Sequence, residues 1–487
     1  TAASAAVARA SSSLAAGAWS QESIDGFSAD ELRPLVETVY AALTEGARDR
    51  AGAAPRGGPE SVAERVAKAV GDVLPRGGTG DREALYALVH VLAEGAADPA
   101  EPHCAAHLHC PPLAVAAAAD LAASALNPSM DSWDQAPAAS ELEARATAAL
   151  AAVVYPDLPA PDALVTTGGT ESNQLALLLA RERAAGGPRV QTICGANAHH
   201  SVQRAAWLLG LPNPVVLATP AGVLDPVVLD RTLDELPVRR ALVVATAGTT
   251  ETGAIDPLAD IAKVTARHEV ELHVDAAYGG PLLFSRRQAA KLDGLQSAVS
   301  VTLDLHKMGW QPVAAGLLAV PDGGALRPLD HRADYLNAQD DTEAGMPDLL
   351  GRSLRTTRRP DILKIAVTLR SLGRDGMAAL VDTVCELAQT LAAKADAHPG
   401  LTLYGPPAIS TVLFRPADAS DEDVAELRRR LLYEGRAVLG RARADGRLWL
   451  KATLLNPRLR PEDLDGLLAL AAGPPHPTGS TEGTTAP

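Results

Sequence analysis

The chain has 487 residues and 47% of them are apolar, enough to bury a large core arranged in about two or three domains or lobes. A formal net charge of -15 argues against a basic face for nucleic-acid phosphates and points to small solutes or proteins as partners. Cys104, Cys110, Cys194 and Cys385 are too few and too scattered for a disulfide framework or a zinc site, which fits a reducing cytoplasm. No stretch reaches the ~18 uncharged apolar residues of a membrane span, and no basic segment followed by an apolar one opens the chain, so a soluble protein is expected.

The Ala-rich opening, TAASAAVARASSSLAAGA, has little to pack and reads as a loosely docked end. SADELRPLVETVYAALTEG follows with Ser28 and Glu31 at capping-box spacing, and Leu32, Leu35, Val36, Val39, Tyr40 and Leu43 share one helical face. Residues 1–100 are therefore expected to form a helical N-terminal segment. From about residue 101 to 368, helical segments alternate with short apolar strands, among them ALVTT, RVQTIC, PVVLA, ALVVAT, VELHVDAA and VSVTLD. That alternation predicts an α/β domain with a mostly parallel sheet and helices on both faces. Residues 369–473 read helix, strand, strand, helix, strand, helix, a small α+β lobe with an antiparallel sheet. The closing residues 474–487 read as a disordered tail.

Ligands of a parallel α/β sheet sit beyond the carboxyl ends of its strands, so polar residues placed there carry most of the functional information. VTTGGTESNQLALLLA runs from a strand through Gly168, Gly169 and Thr170 into a helix, whose free N–H groups and positive dipole end suit a phosphate. A tight turn with Thr170 as helix cap accounts for the same triplet. ELHVDAAYGG ends a strand on Asp275, a carboxylate that must be paired or hydrogen-bonded; a protonated heterocyclic nitrogen or an ordinary salt bridge would serve. TLDLHKMGWQP ends a strand on His306 and Lys307. A desolvated lysine there can attack a carbonyl as the neutral amine, whereas a lysine just past the strand would simply face water. His199 and His200 follow the strand ending at Cys194, where one ring could stack on a ligand, and no metal-ligand spacing is evident.

A phosphate cradle, a carboxylate for a ring nitrogen, a stacking imidazole and an amine for an aldehyde together describe pyridoxal 5′-phosphate. AHLHCPP, SMDSWDQAPAASELE, TTGGTESN, NAHHSVQRA, HVDAAYGG, DLHKMGWQP and RTTRRPDILKIAVTLRSLGRDG resemble, in order, the motifs of group II pyridoxal-phosphate-dependent amino acid decarboxylases. The resemblance implies the aspartate-aminotransferase-like fold (fold type I) and a homodimer whose helical segment embraces the partner. It implies that Lys307 bonds the cofactor's aldehyde carbon, that Asp275 pairs with the pyridine nitrogen, and that His199 and Ala277 lie against the two ring faces. Gly169, Thr170 and His306 would hold the phosphate, and Thr246 would line the site. Tyr335, in the polar stretch 331–345 expected to be a mobile lid, matches the family's proton-donating loop tyrosine, and Arg358 would meet the substrate carboxylate or brace the site.

Asp304 and Leu305 stand where many members read Asn-Pro, and DLHKMGWQPVAAGLLAV looks most like the branch acting on diamino acids. That branch holds 2,4-diaminobutyrate decarboxylases and the lysine or ornithine decarboxylases associated with siderophore biosynthesis. Lysine, giving cadaverine, is the first expectation, with Asp131 and Asp134 as candidates for the terminal ammonium. A glutamate, aspartate or aromatic substrate, a pyridoxal-phosphate aminotransferase, and a noncatalytic relative that keeps the fold remain open readings.

Overall fold

The computed structural model describes residues 29–184, 190–236, 240–330, 336 and 338–473. The expected capping residue Ser28, the lid tyrosine Tyr335 and the tail 474–487 lie outside the described residues. The chain groups into two compact units, one of residues 1–104 with 426–438, the other of residues 105–425 with 439–487.

In the first unit, helices α1 (Ala29–Arg50), α2 (Gly58–Val70) and α3 (Asp81–Glu94) form a small bundle. The apolar face expected on α1 is only partly covered: Leu32, Leu35, Val36 and Val39 are half-buried. Tyr40 is 65% exposed and Leu43 46%, whereas Ala42 is fully buried. The helices approach closely at Gly46, where an added methyl would come within 2.5 Å of the His90 carbonyl and 2.8 Å of the Ala93 Cβ. Small residues therefore set the α1–α3 contact, and large apolar ones on α1 and α3 face outward, Leu92 among them at 69% exposure. Segment 426–438 is tied in by backbone bonds: Ala53 and Gly57 N–H donate to Gly435 and Tyr433, and Val438 N–H donates to His103.

The second unit opens with helices α4 (Ala114–Leu126) and α5 (Pro137–Val154) and then alternates. Its elements are β1 (Asp162–Thr166), α6 (Gly169–Arg183), β2 (Gln191–Gly195), α7 (Ser201–Leu208), β3 (Val215–Leu217), α8 (Pro226–Glu235), β4 (Ala241–Thr246), α9 (Leu258–Arg267), β5 (Glu271–Ala276), β6 (Ser300–Asp304), α10 (Leu305–Met308) and β7 (Gly316–Val320). These seven strands form one sheet in the order β1-β7-β6-β5-β4-β2-β3. Every pairing is parallel except those of β7, which runs against both β1 and β6. The six parallel strands bring Thr166, Gly195, Thr246, Asp275 and Asp304 to one edge. β4, β6 and β7 are buried along their whole length and β5 along all but its first residue; β4 and β7 read as continuous apolar runs, whereas β5 and β6 alternate, with His273, Asp275, Ser300 and Thr302 buried in hydrogen bonds.

The inverted β7 is the element that the strand–helix alternation does not foretell. Its first residue, Gly316, pairs with both Thr166 and Asp304, and a methyl there would lie 2.5 Å from the Gly168 Cα. Only glycine lets this strand pass beneath the turn that follows β1.

Beyond the sheet come α11 (Gln339–Glu343) and α12 (Ile362–Ala397), whose helical dihedrals break at Gly373 (φ 64°). The expected boundary between 368 and 369 thus falls inside an element. β8 (Leu401–Leu403), β9 (Thr411–Pro416), α13 (Asp421–Tyr433), β10 (Gly440–Ala444), β11 (Arg447–Thr453) and α14 (Pro461–Ala472) follow. Their four strands make the expected antiparallel sheet, in the order β10-β11-β9-β8, with β10 an addition to the sequence reading. Tyr278 joins the two sheets: its hydroxyl is 2.9 Å from both Ser410 and Thr411 Oγ.

Candidate active site

The glycine turn after β1 is shaped by its own side chains. Glu171, in the first turn of α6, accepts from Thr167 N–H at 2.6 Å and from its hydroxyl at 2.7 Å, closing a ring around Gly168–Gly169. Ser172 Oγ, 2.7 Å from the Thr166 hydroxyl, donates to the Leu317 carbonyl, which fastens the helix start to β1 and β7. The cradle is tight. A methyl at Gly169 would stand 3.0 Å from Ala277 Cβ and 3.2 Å from Asp304 Oδ2.

A cavity of about 290 Å³ opens over this edge of the sheet. Gly169, Thr170, His199, Thr246, Asp275, Ala277, His306 and Lys307 all line it, so residues spread over 139 positions of sequence converge on one space. The parallel sheet achieves this because each contributes from the end of a neighbouring strand: Thr246 pairs with Asp275 across β4–β5, and Asp275 with Thr302 across β5–β6. Asp275 is buried and fully engaged on the protein side, Oδ1 accepting from Ala277 N–H at 3.1 Å and Oδ2 from Asn173 Nδ2 at 2.8 Å. Lys307 Nζ meets Asp304 Oδ2 at 2.8 Å, and His306 Nε2 lies 3.6 Å from the same oxygen. Burial lowers the pKa of His199 and of His306; the nearby carboxylates Asp275 and Asp304 respectively oppose that shift. Both rings therefore tend to the neutral form.

Asp304 is the participant that the sequence reading noted only as a departure from a motif. The signal was the one that singled out Asp275: a carboxylate as the last residue of a buried strand. Asn173, Ser201 and His273, which bond behind the cavity wall, were likewise passed over, because a polar residue inside an amphipathic helix or an apolar strand carries no motif of its own.

Three expected substrate residues are not among those lining the cavity. The Arg358 side chain is 1% exposed and both terminal nitrogens are bound to the Glu143 carboxylate, at 2.6 and 2.7 Å, with Glu143 itself 4% exposed. That guanidinium is committed to a buried bidentate pair, and the Arg358 carbonyl accepts from Met130 N–H at 2.9 Å, so the residue braces α5 rather than meeting a ligand. Asp131 accepts from Gln135 Nε2 at 2.8 Å, and Asp134 is exposed on the surface.

The residues present fit a phosphorylated aldehyde coenzyme. Thr246 Oγ1 and Asp304 Oδ1, on residues that line the cavity, are buried without a protein hydrogen-bond partner, and polar atoms left so call for a polar neighbour. The methyl-free cradle at Gly169 and the amine of Lys307 lie in the same space.

The family model described as "Pyridoxal-dependent decarboxylase conserved domain" matches residues 85–416. The chain is 42% identical over 419 residues to an L-2,4-diaminobutyrate decarboxylase of Rhizobium meliloti (strain 1021), covering 82% of each protein. It is 34% identical over 430 residues to an L-2,4-diaminobutyrate decarboxylase of Acinetobacter baumannii, covering 80% of this chain and 83% of that one. The glutamate decarboxylase domain of diaminobutyrate-pyruvate transaminase and L-2,4-diaminobutyrate decarboxylase from Vibrio parahaemolyticus superposes with a TM-score of 0.80 at 30% identity, covering 91% of this chain and 95% of that one. With the fold type I sheet, the converging site and these relatives in view, the chain belongs to the pyridoxal-dependent decarboxylase family and is a pyridoxal-phosphate-dependent carboxy-lyase acting on an amino acid.

Proposed function

We propose that this enzyme decarboxylates an L-diamino acid, with L-2,4-diaminobutyrate ahead of ornithine and lysine. The 42% identity to a 2,4-diaminobutyrate decarboxylase carries this reading and moves the first expectation away from lysine. The lining chemistry is in keeping with it: among the described residues around the cavity there is no arginine to receive a side-chain carboxylate. The diamine product would serve siderophore biosynthesis.

When bound, pyridoxal phosphate offers an aldehyde to the amine and a ring that accepts the electron pair left as carbon dioxide departs. Lys307 would hold the coenzyme through its aldehyde carbon. Asp304 Oδ2, 2.8 Å from Lys307 Nζ, would pair with that side chain in its protonated form. Asp275 keeps a proton on the ring nitrogen, and Asn173 and the Ala277 N–H keep Asp275 in place. Gly169 and Thr170, at the N-terminus of α6, hold the phosphate with His306. His199 and Ala277 fix the ring between them, and Thr246 lines one side. Groups that fix the substrate's orientation would favour loss of its carboxylate over transamination. Tyr335 delivers the proton to the substrate's α-carbon.

A second copy of the chain is the proposed partner, seated on the apolar face that α1 and α3 leave exposed through Tyr40, Leu43, Leu88 and Leu92. The four cysteines are buried and form no disulfide, in keeping with the proposed cytoplasmic setting, and no described helix is long and apolar enough to cross a membrane.

The test is a panel of 2,4-diaminobutyrate, ornithine, lysine, glutamate, aspartate and tryptophan with pyridoxal phosphate, following both carbon dioxide and amine. Highest kcat/KM on 2,4-diaminobutyrate is expected. Preference for an acidic or aromatic amino acid overturns the substrate reading, and keto acid without carbon dioxide overturns the reaction.

A further inference from the structure

Asn173 is fully buried behind the cavity wall and makes four hydrogen bonds, the capacity of its amide. Its Nδ2 donates to Asp275 Oδ2 at 2.8 Å and to Ser201 Oγ at 2.9 Å. Its Oδ1 accepts from Thr302 Oγ1 at 2.9 Å and faces His273 Nε2 at 3.0 Å. A carboxylate only accepts, so Asp275 fixes which end of the amide faces it, and the other contacts agree with that orientation.

The direction then propagates. Ser201 Oγ accepts from Asn173, so its own proton is free for its remaining neighbour, His199 Nδ1, at 2.8 Å. The Ser201 backbone N–H approaches the same ring nitrogen at 3.3 Å. Two donors converging on Nδ1 make it an acceptor. The ring proton is left on Nε2.

We propose that Asn173 and Ser201 are positioning residues: they pass the acceptor character of Asp275 along a one-way chain, Asp275–Asn173–Ser201–His199, that holds His199 as a neutral imidazole protonated on Nε2. The consequence for the reaction rests on the stacking role proposed above. A neutral ring keeps a second positive charge off the face of a protonated heterocycle, and its Nε2–H is a donor for an acceptor in the cavity. The group that protonates the cofactor ring from its edge and the group that lies on its face are set by one amide. Asp275, Asp304, Lys307 and His200 are the charged or titratable groups facing His199, and burial lowers its pKa in the same sense as the chain.

The experiment uses full-length protein labelled with ¹⁵N-histidine, both free of pyridoxal phosphate and loaded with it. Long-range ¹H–¹⁵N spectra are recorded across pH, with His199 assigned by the signal lost in His199→Gln. At pH 7.5 the expected pattern is an unprotonated Nδ1 and a protonated Nε2. Ser201→Ala should raise the His199 pKa by about half to one unit, the worth of one hydrogen bond to the neutral ring, while Ser201→Thr, which keeps the hydroxyl, should retain the wild-type value. Asn173→Asp, which offers Ser201 an acceptor in place of a donor, should raise it further. A protonated Nδ1 in the wild type, or an unchanged His199 pKa in a folded Ser201→Ala protein, overturns the proposal. Because the free protein reports the result, failure of the substrate reading leaves this readout intact, and the reverse holds for the amino acid panel.

Discussion

Arg358 offers the sharpest separation between a structural and a ligand-binding role. Its guanidinium and Glu143 form a two-bond ion pair with both side chains at least 96% buried. Removing either partner strands a charge where water cannot reach it, which costs about 3–5 kcal/mol in comparable buried pairs. Arg358→Leu and Glu143→Leu should each lower the melting temperature of the cofactor-free protein by about 6–10 °C, taking about 2 °C per kcal/mol for a large domain. The double Leu variant should recover most of the loss, because no charge is left uncompensated and the two side chains fill similar volume. Differential scanning fluorimetry reads stability, and steady-state assays of the same proteins read kcat and KM. A substrate-binding arginine would give the opposite pattern: a large rise in KM, little change in melting temperature and no rescue by the second substitution. That outcome would refute the assignment of Arg358 to the scaffold.

Gly169→Ala puts a methyl 3.0 Å from Ala277 Cβ and 3.2 Å from Asp304 Oδ2, so pyridoxal phosphate should bind at least about tenfold more weakly with the fold intact; absorbance titration measures it, and unaltered affinity would contradict the cradle. Burial pushes His273 from 6.5 down to about 4, so in that window the unfolded chain binds a proton that the folded chain refuses. Stability should thus be fully present at pH 7.5 and fall as the pH drops below about 6.5, by up to about 1.4 kcal/mol per unit from this residue. His199 and His306, also lowered by burial, act in the same sense, and urea unfolding of wild type and His273→Gln between pH 7.5 and 5 should differ in slope by about one proton. Tyr335→Phe should reduce kcat about a hundredfold while cofactor absorbance stays as in the wild type; an unchanged kcat removes the tyrosine from the proton transfer.

The sequence by itself determined the class of fold and the chemistry of the site. Strands ending in GGT, Asp275 and His306–Lys307 are legible because a parallel sheet delivers its strand ends to one edge, so local pattern and global position coincide. Motif order then supplied the cofactor and the reaction. Tertiary structure alone decided matters set by partners distant in the chain. Arg358 reads either as a substrate-carboxylate ligand or as a brace until Glu143, 215 positions away, takes both of its terminal nitrogens. Tyr40 and Leu43 lie on the apolar stripe of α1, yet Ala42 and Gly46 make the contact, because the closeness of two helices is set by the smallest side chains between them. Asn173 looks like an ordinary polar residue early in a helix. Its importance exists only once β5, β6 and α7 surround it, since a hydrogen bond's direction depends on what the neighbouring atoms can give or accept, and no residue carries that information alone.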